Sequence, residues 1–76
     1  MILMVMISFS DWVRLTFNNS VNVQSVTLQD LQGNPIAFTT QGGGNQLEIR
    51  NINTGSGVFV LMVITNQGVV IEYIMK

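Results

Sequence analysis

Residues 57–76 do most to limit what this chain can become. Two runs rich in β-branched and aromatic residues, Gly57 to Ile64 and Val69 to Lys76, flank the short polar stretch Thr65-Asn66-Gln67-Gly68. That arrangement predicts two antiparallel strands joined by a tight connection. Loop length then decides which side chains share a face, because side chains along a strand alternate between faces. A three-residue loop, Asn66-Gln67-Gly68 with Gly68 at positive φ, sets Val63 against Ile71, Leu61 against Tyr73 and Phe59 against Met75. That row carries no charge, whereas a two- or four-residue loop brings Glu72 and Lys76 into the row that holds Phe59. The uncharged row favours the three-residue loop.

In that register the opposite face takes Val58, Val60, Met62 and Ile64 from one strand, and Val70, Glu72, Ile74 and Lys76 from the other. A solvated sheet alternates apolar and polar residues, so a mostly apolar face asks for a cover. Either residues 1–9 fold over it as a further strand or layer, or another molecule does. Val58, Val60, Met62, Ile64, Val70 and Ile74 are therefore candidate interface residues. Ile2, Met4 and Met6 join them if the apolar N-terminal strand is an arm exchanged with a neighbour.

No window of ten or more residues shows the 3.6-residue apolar period of a helix. Instead, six or seven short strands separated by Gly, Asn and Pro turns predict an all-β fold, a small immunoglobulin-like antiparallel β-sandwich forming a single domain over residues 1–76. Trp12 to Phe17 alternates, with Val13, Leu15 and Phe17 on one side and Trp12, Arg14 and Thr16 on the other. Asn18-Asn19-Ser20 reads as a turn, and its spacing also matches a glycosylation acceptor. Val21 to Leu28 is a second strand region with Val26 and Leu28 inward. Asp30 to Pro35 is a turn whose amides Asp30 accepts, and Ile36 to Thr39 a short strand. Thr40 to Asn45, with three consecutive glycines, reads as a flexible loop tip that lacks the Lys and helix of a phosphate cradle. Leu47 to Arg50 is an edge-like strand, and Ile52 a plug closing the core.

Charge bounds the function. Charged residues make up 9% of the 76, against roughly 25% in a typical soluble domain, and this permits self-association. Arg14, Arg50 and Lys76 are too few and too dispersed to track a phosphate backbone, so no nucleic-acid partner is expected. With no Cys there is neither a disulfide framework nor a thiolate metal site. The apolar run Met1 to Ile7 is far short of the roughly 20 residues of a spanning helix and lacks the features of a cleaved signal. With no His or Cys and only Lys76 as an amine, no activated nucleophile with an orienting base is apparent. No catalytic, cofactor-binding or metal-ligating residues are assigned, and the expected role is that of a non-catalytic structural or assembly module with a homo-oligomeric or protein partner.

The stretch Leu28-Gln29-Asp30-Leu31-Gln32-Gly33-Asn34-Pro35-Ile36 is followed by Leu47-Glu48-Ile49, Ile52, Gly57-Val58-Phe59-Val60-Leu61 and Gly68. In these spacings, over roughly residues 11–76, the chain resembles the C-terminal sorting domains of type IX secretion substrates in Bacteroidetes, and small Bacteroides β-sandwich domains look similar. The resemblance implies an immunoglobulin-like sandwich and a secretion-sorting or cell-surface anchoring role with an extracellular location. A virion or filament component is the further alternative for a charge-poor sandwich of this kind.

Overall fold

The computed structural model describes residues 2–9, 12–18, 21–43, 45–52 and 55–76. Seven strands run in order: β1 (Met4–Ser8), β2 (Val13–Phe17), β3 (Val23–Asp30), β4 (Thr39–Gly43), β5 (Gln46–Arg50), β6 (Val58–Thr65) and β7 (Gly68–Met75). They form two antiparallel sheets, a four-stranded one ordered β1-β2-β5-β4 and a three-stranded one ordered β3-β6-β7. The described residues contain no helix. This is a small two-layer β-sandwich, as the strand pattern predicts.

The core follows from alternation. Val13, Leu15 and Phe17 of β2 and Ile49 of β5 are buried on one sheet; Leu28 of β3, Phe59, Leu61 and Val63 of β6 and Ile74 of β7 face them from the other. Val21 and the plug residue Ile52 close the ends. Burying each large aliphatic side chain is worth about 1.5–3 kcal/mol, which for a chain without disulfides is the main stabilising term. Met4 and Met6 on β1, together with Ile2, pack against this core from the edge of the four-stranded sheet. The N-terminal run is thus a strand of the sandwich itself, and it does not lie over the outer face of the β6–β7 hairpin.

Three local expectations are corrected. The short strand expected at Ile36 to Thr39 reduces to a single bridge between Pro35 and Gln29, and the strand proper begins at Thr39 and runs through Gly42 and Gly43. The glycines permit this: Gly42 sits at φ 115, and a Cβ there would stand 2.7 Å from the carbonyl oxygen of Gln46 across the β4–β5 hairpin. Only a glycine can hold that turn closed. The strand at Leu47 to Arg50 is not an edge, because β5 lies between β2 and β4. The readings that fell on Asn19, Ser20, Asn53 and Thr54 lie outside the described residues.

The third correction concerns the organising hairpin. Thr65 pairs with Gly68, so the loop has two residues, Asn66 and Gln67, and the register differs by one residue from the three-residue expectation. Val63 faces Val70, Leu61 faces Glu72 and Phe59 faces Ile74. Thr65 fixes the loop from within: its Oγ1 donates to the Gly68 carbonyl at 2.8 Å and accepts from the Gln67 N–H at 3.0 Å. Asn66 anchors it from outside, its Oδ1 accepting from the Asn22 N–H and its own N–H donating to the Asn22 carbonyl.

Candidate interaction surface

The one-residue difference in register redistributes the hairpin's side chains. On the outer face, Val58, Val60, Met62 and Ile64 of β6 stand opposite Met75, Tyr73, Ile71 and Val69 of β7. On β7 these are the exposed apolar residues: Val69 is 55% exposed, Ile71 57%, Tyr73 65% and Met75 77%. Val70 and Ile74, read from sequence as members of this face, turn to the inner side, and Ile74 is part of the core. Of the sequence-derived candidates, the outer face therefore holds Val58, Val60, Met62 and Ile64. The β7 residues were missed because Glu72 was kept out of the apolar row. The structure places it there, half-buried opposite Leu61. An edge strand tolerates an inward-pointing charge because its head can reach water past the open side.

The face continues across β3 through Ser25, Thr27 and Gln29, paired with Ile64, Met62 and Val60. It is apolar over two strands, uncharged polar over the third, and carries no ionisable side chain except the Tyr73 phenol.

The outer face of the four-stranded sheet has the opposite character. Leu3, Val5 and Ile7 are exposed along β1, but the adjacent strands bring charges together. Both nitrogens of Arg14 that reach Glu48 meet its Oε2, at 3.2 and 3.1 Å, while Arg50 Nε donates to Oε1 at 2.8 Å. The hydrogen bond from Arg50, with that from Arg14 behind it, holds the Glu48 carboxyl below its ordinary pKa although partial burial works the other way. Both guanidiniums also lie against Trp12, 4.4 Å from the ring centroid for Arg50 and 5.1 Å for Arg14. Phe9 stacks on Trp12 with centroids 4.0 Å apart. Each carboxylate oxygen of Glu48 has an arginine partner, so the cluster is paired within itself.

One concavity is an open cleft of about 550 Å³ between the β3 and β4 sides of the sandwich. Val23, Val26, Phe38 and Leu47 line it together with Asn22, Gln24, Thr40 and Gln46, and no charged residue does. The other described acids, Asp30 and Glu72, are on separate elements, β3 and β7. Asp30 accepts from the Gln32 and Asn34 N–H groups and from Asn34 Nδ2, as the sequence predicts, and the Asn34 bonds lower its pKa. Among the described residues no three potential ligands are grouped to hold a metal ion, and no helix is long and apolar enough to cross a membrane.

Comparison with known protein families, with curated proteins and with solved structures finds no match for this chain.

Proposed function

We propose that this chain is a non-catalytic structural module that associates with copies of itself through the outer face of its three-stranded sheet. The observation that carries this reading is the uncharged apolar row on β6 and β7 with its four well-exposed β7 side chains. A stable contact between two copies buries roughly 1,200 Å² or more in total. A second copy suits the face better than a charged partner does. Two uncharged faces meet without repulsion, and a charged partner would lose water without gaining an ion pair. The outer face of the other sheet, with Arg14, Glu48 and Arg50 at its centre, is a poorer candidate for the same reason.

Sedimentation velocity over a wide concentration range tests this. The expected result is concentration-dependent association that Met62→Asp or Ile71→Asp abolishes while the far-ultraviolet spectrum of the folded chain is retained. A monomer at every concentration overturns the proposal.

One observation favours a second reading. The strand order β1-β2-β5-β4 over β3-β6-β7 is that of the seven-stranded immunoglobulin constant-type arrangement, and it supports the immunoglobulin-like architecture that the resemblance to type IX sorting domains implies. Fold alone does not carry function. In this reading the chain, fused behind a periplasmic reporter in a type IX host, takes the reporter to the cell surface; a folded fusion retained inside the cell rejects it.

A further inference from the structure

Residues in an antiparallel pair alternate between those that exchange both backbone hydrogen bonds with the partner and those whose N–H and C=O point the other way. Gly57 and Lys76 exchange both, at 2.9 Å each. Stepping by two from Lys76 along the observed register, Ile74, Glu72, Val70 and Gly68 turn their backbone groups toward β6. Val69, Ile71, Tyr73 and Met75 turn theirs to the open side of β7, where no strand lies among the described residues. The four residues with outward backbone groups are therefore the same four that expose apolar side chains on the outer face.

The other edges are shorter or partly covered. β1 and β4 have five residues each. β3 is capped over its last residues, with Ile36 N–H donating to the Leu28 carbonyl at 2.9 Å and Asp30 N–H to the Asn34 carbonyl at 3.0 Å. β7 is open over eight residues, contains no proline, and has Glu72 as its sole charge. A long uncovered apolar edge is a template for another strand.

The geometry points to β7 of a second copy as the occupant of this edge: two β7 strands paired antiparallel about a two-fold axis, merging two three-stranded sheets into one of six strands. This rests on the self-association proposed above and specifies how it begins. Edge pairing sets two outer faces side by side, so a paired dimer presents twice the apolar face of one copy, and two such dimers stacked face to face bury twice the area that two single copies would. Doubling the face strengthens stacking, so edge pairing comes first. The assembly is then a dimer that passes to a tetramer.

Glu72 sets the register. Full overlap, in which Val69 meets Met75 of the other copy and Ile71 meets Tyr73, places Glu72 directly against its own symmetry mate, and like charges opposite one another are destabilising. Centring the two-fold on Ile71 or on Tyr73 gives up one bonded pair and moves each Glu72 opposite an aliphatic residue.

Replacing Ile71 by proline removes an outward N–H without touching the bonds to β6, a position where an edge strand accepts proline. Ile71→Ala keeps the N–H and trims the side chain. Sedimentation velocity is expected to give a dimer–tetramer equilibrium for the parent chain, at least tenfold weaker dimerisation for Ile71→Pro, and a smaller loss for Ile71→Ala. Equal losses in the two variants, or none in Ile71→Pro, overturn edge pairing while leaving face association standing; a parent chain monomeric throughout overturns both. If Ile71→Pro fails to fold, oxidative cross-linking decides. Opposed bonded residues lie about 5.5 Å apart at Cα, within disulfide reach. Either Ile71→Cys or Tyr73→Cys should then cross-link in high yield and Ser25→Cys on β3 should not. Equal yields at Ser25 overturn the proposal.

Discussion

Thr65 and Gly68 stand opposite each other as the closing pair of the β6–β7 hairpin, with Thr65 Oγ1 donating to the Gly68 carbonyl. Every side-chain assignment on these two strands depends on that pair. Thr65 is buried and its hydroxyl is both donor and acceptor within the loop. Thr65→Val keeps the shape and removes both bonds. At about 1 kcal/mol for each lost bond, the variant is expected to be about 2 kcal/mol less stable. Urea denaturation checks this; an unchanged midpoint would mean that the loop is held by Asn66 and Asn22 alone.

Two neighbouring glycines are expected to respond differently to alanine. At Gly42 the backbone has φ 115 and a Cβ would meet the Gln46 carbonyl oxygen at 2.7 Å, whereas at Gly43 a Cβ meets nothing within 4 Å. Gly42→Ala combines strain at positive φ with a backbone clash and should cost about 2 kcal/mol or more. Gly43→Ala restricts the unfolded chain without strain and should leave stability unchanged or raise it by about 0.5 kcal/mol. Thermal melts of the pair check this: on the order of 10 °C or more should separate them.

Leu61 and Ile71 separate core from surface. Leu61 is fully buried at the centre of β6, while Ile71 is exposed on the outer face of β7. Leu61→Ala leaves a cavity between the sheets and should cost about 2–5 kcal/mol, enough to unfold a chain of this size at moderate temperature. Ile71→Ala should change monomer stability by less than about 1 kcal/mol. Chemical denaturation of dilute protein measures both free of association.

The layers of the sandwich were legible in the sequence because a period of two leaves little choice once one face is buried. Val13, Leu15 and Phe17, the inward Val26 and Leu28, the Ile52 plug and the Asp30 turn all fall where alternation and turn chemistry place them. Parity across the last hairpin was not legible. It depends on whether Gly68 ends the loop or starts the strand, and an uncharged row around Phe59 favours the wrong alternative. The Glu72 charge is tolerable in a single copy because β7 is the edge of its sheet, which is a property of sheet order. Strand order is also what put β5 in the interior and carried β4 through glycines that by composition read as a loop. Of the candidate surface, the β6 half was visible in the sequence and the β7 half needed the register.

Acid should weaken the fold through Asp30 and Glu48. Asp30 is held low first by the Asn34 side-chain bond and then by the Asn34 backbone, and Glu48 first by Arg50. Both carboxyls thus bind protons less readily folded than unfolded. The unfolded chain takes up more protons as pH falls through about 4, so stability rises with pH across that window and is fully present above it. Denaturant midpoints should be flat from pH 6 to 8 and fall below about pH 4. In the double variant Asp30→Asn, Glu48→Gln the acid slope should be clearly reduced; an equal slope would overturn the assignment of the linkage to these two carboxyls.

The single tryptophan reports on the charged cluster that keeps the other sheet face distinct. Trp12 is held between Phe9 on one side and the Arg50 and Arg14 guanidiniums, and both guanidiniums are positioned by Glu48. Glu48→Gln leaves one acceptor oxygen where the carboxylate gave two, so one arginine loses its partner and its contact with the indole loosens. Tryptophan emission should shift to the red and acrylamide quenching should increase, with the far-ultraviolet spectrum unchanged. Glu72→Gln, on the other sheet, should leave the emission of dilute protein as it is. If Glu48→Gln also leaves it unchanged, then Phe9 stacking alone positions Trp12, and the arginines are free to serve as a charged contact surface. That outcome would remove the electrostatic argument for assigning self-association to the β6–β7 face and would make Arg14 and Arg50 the next residues to test for binding an acidic partner.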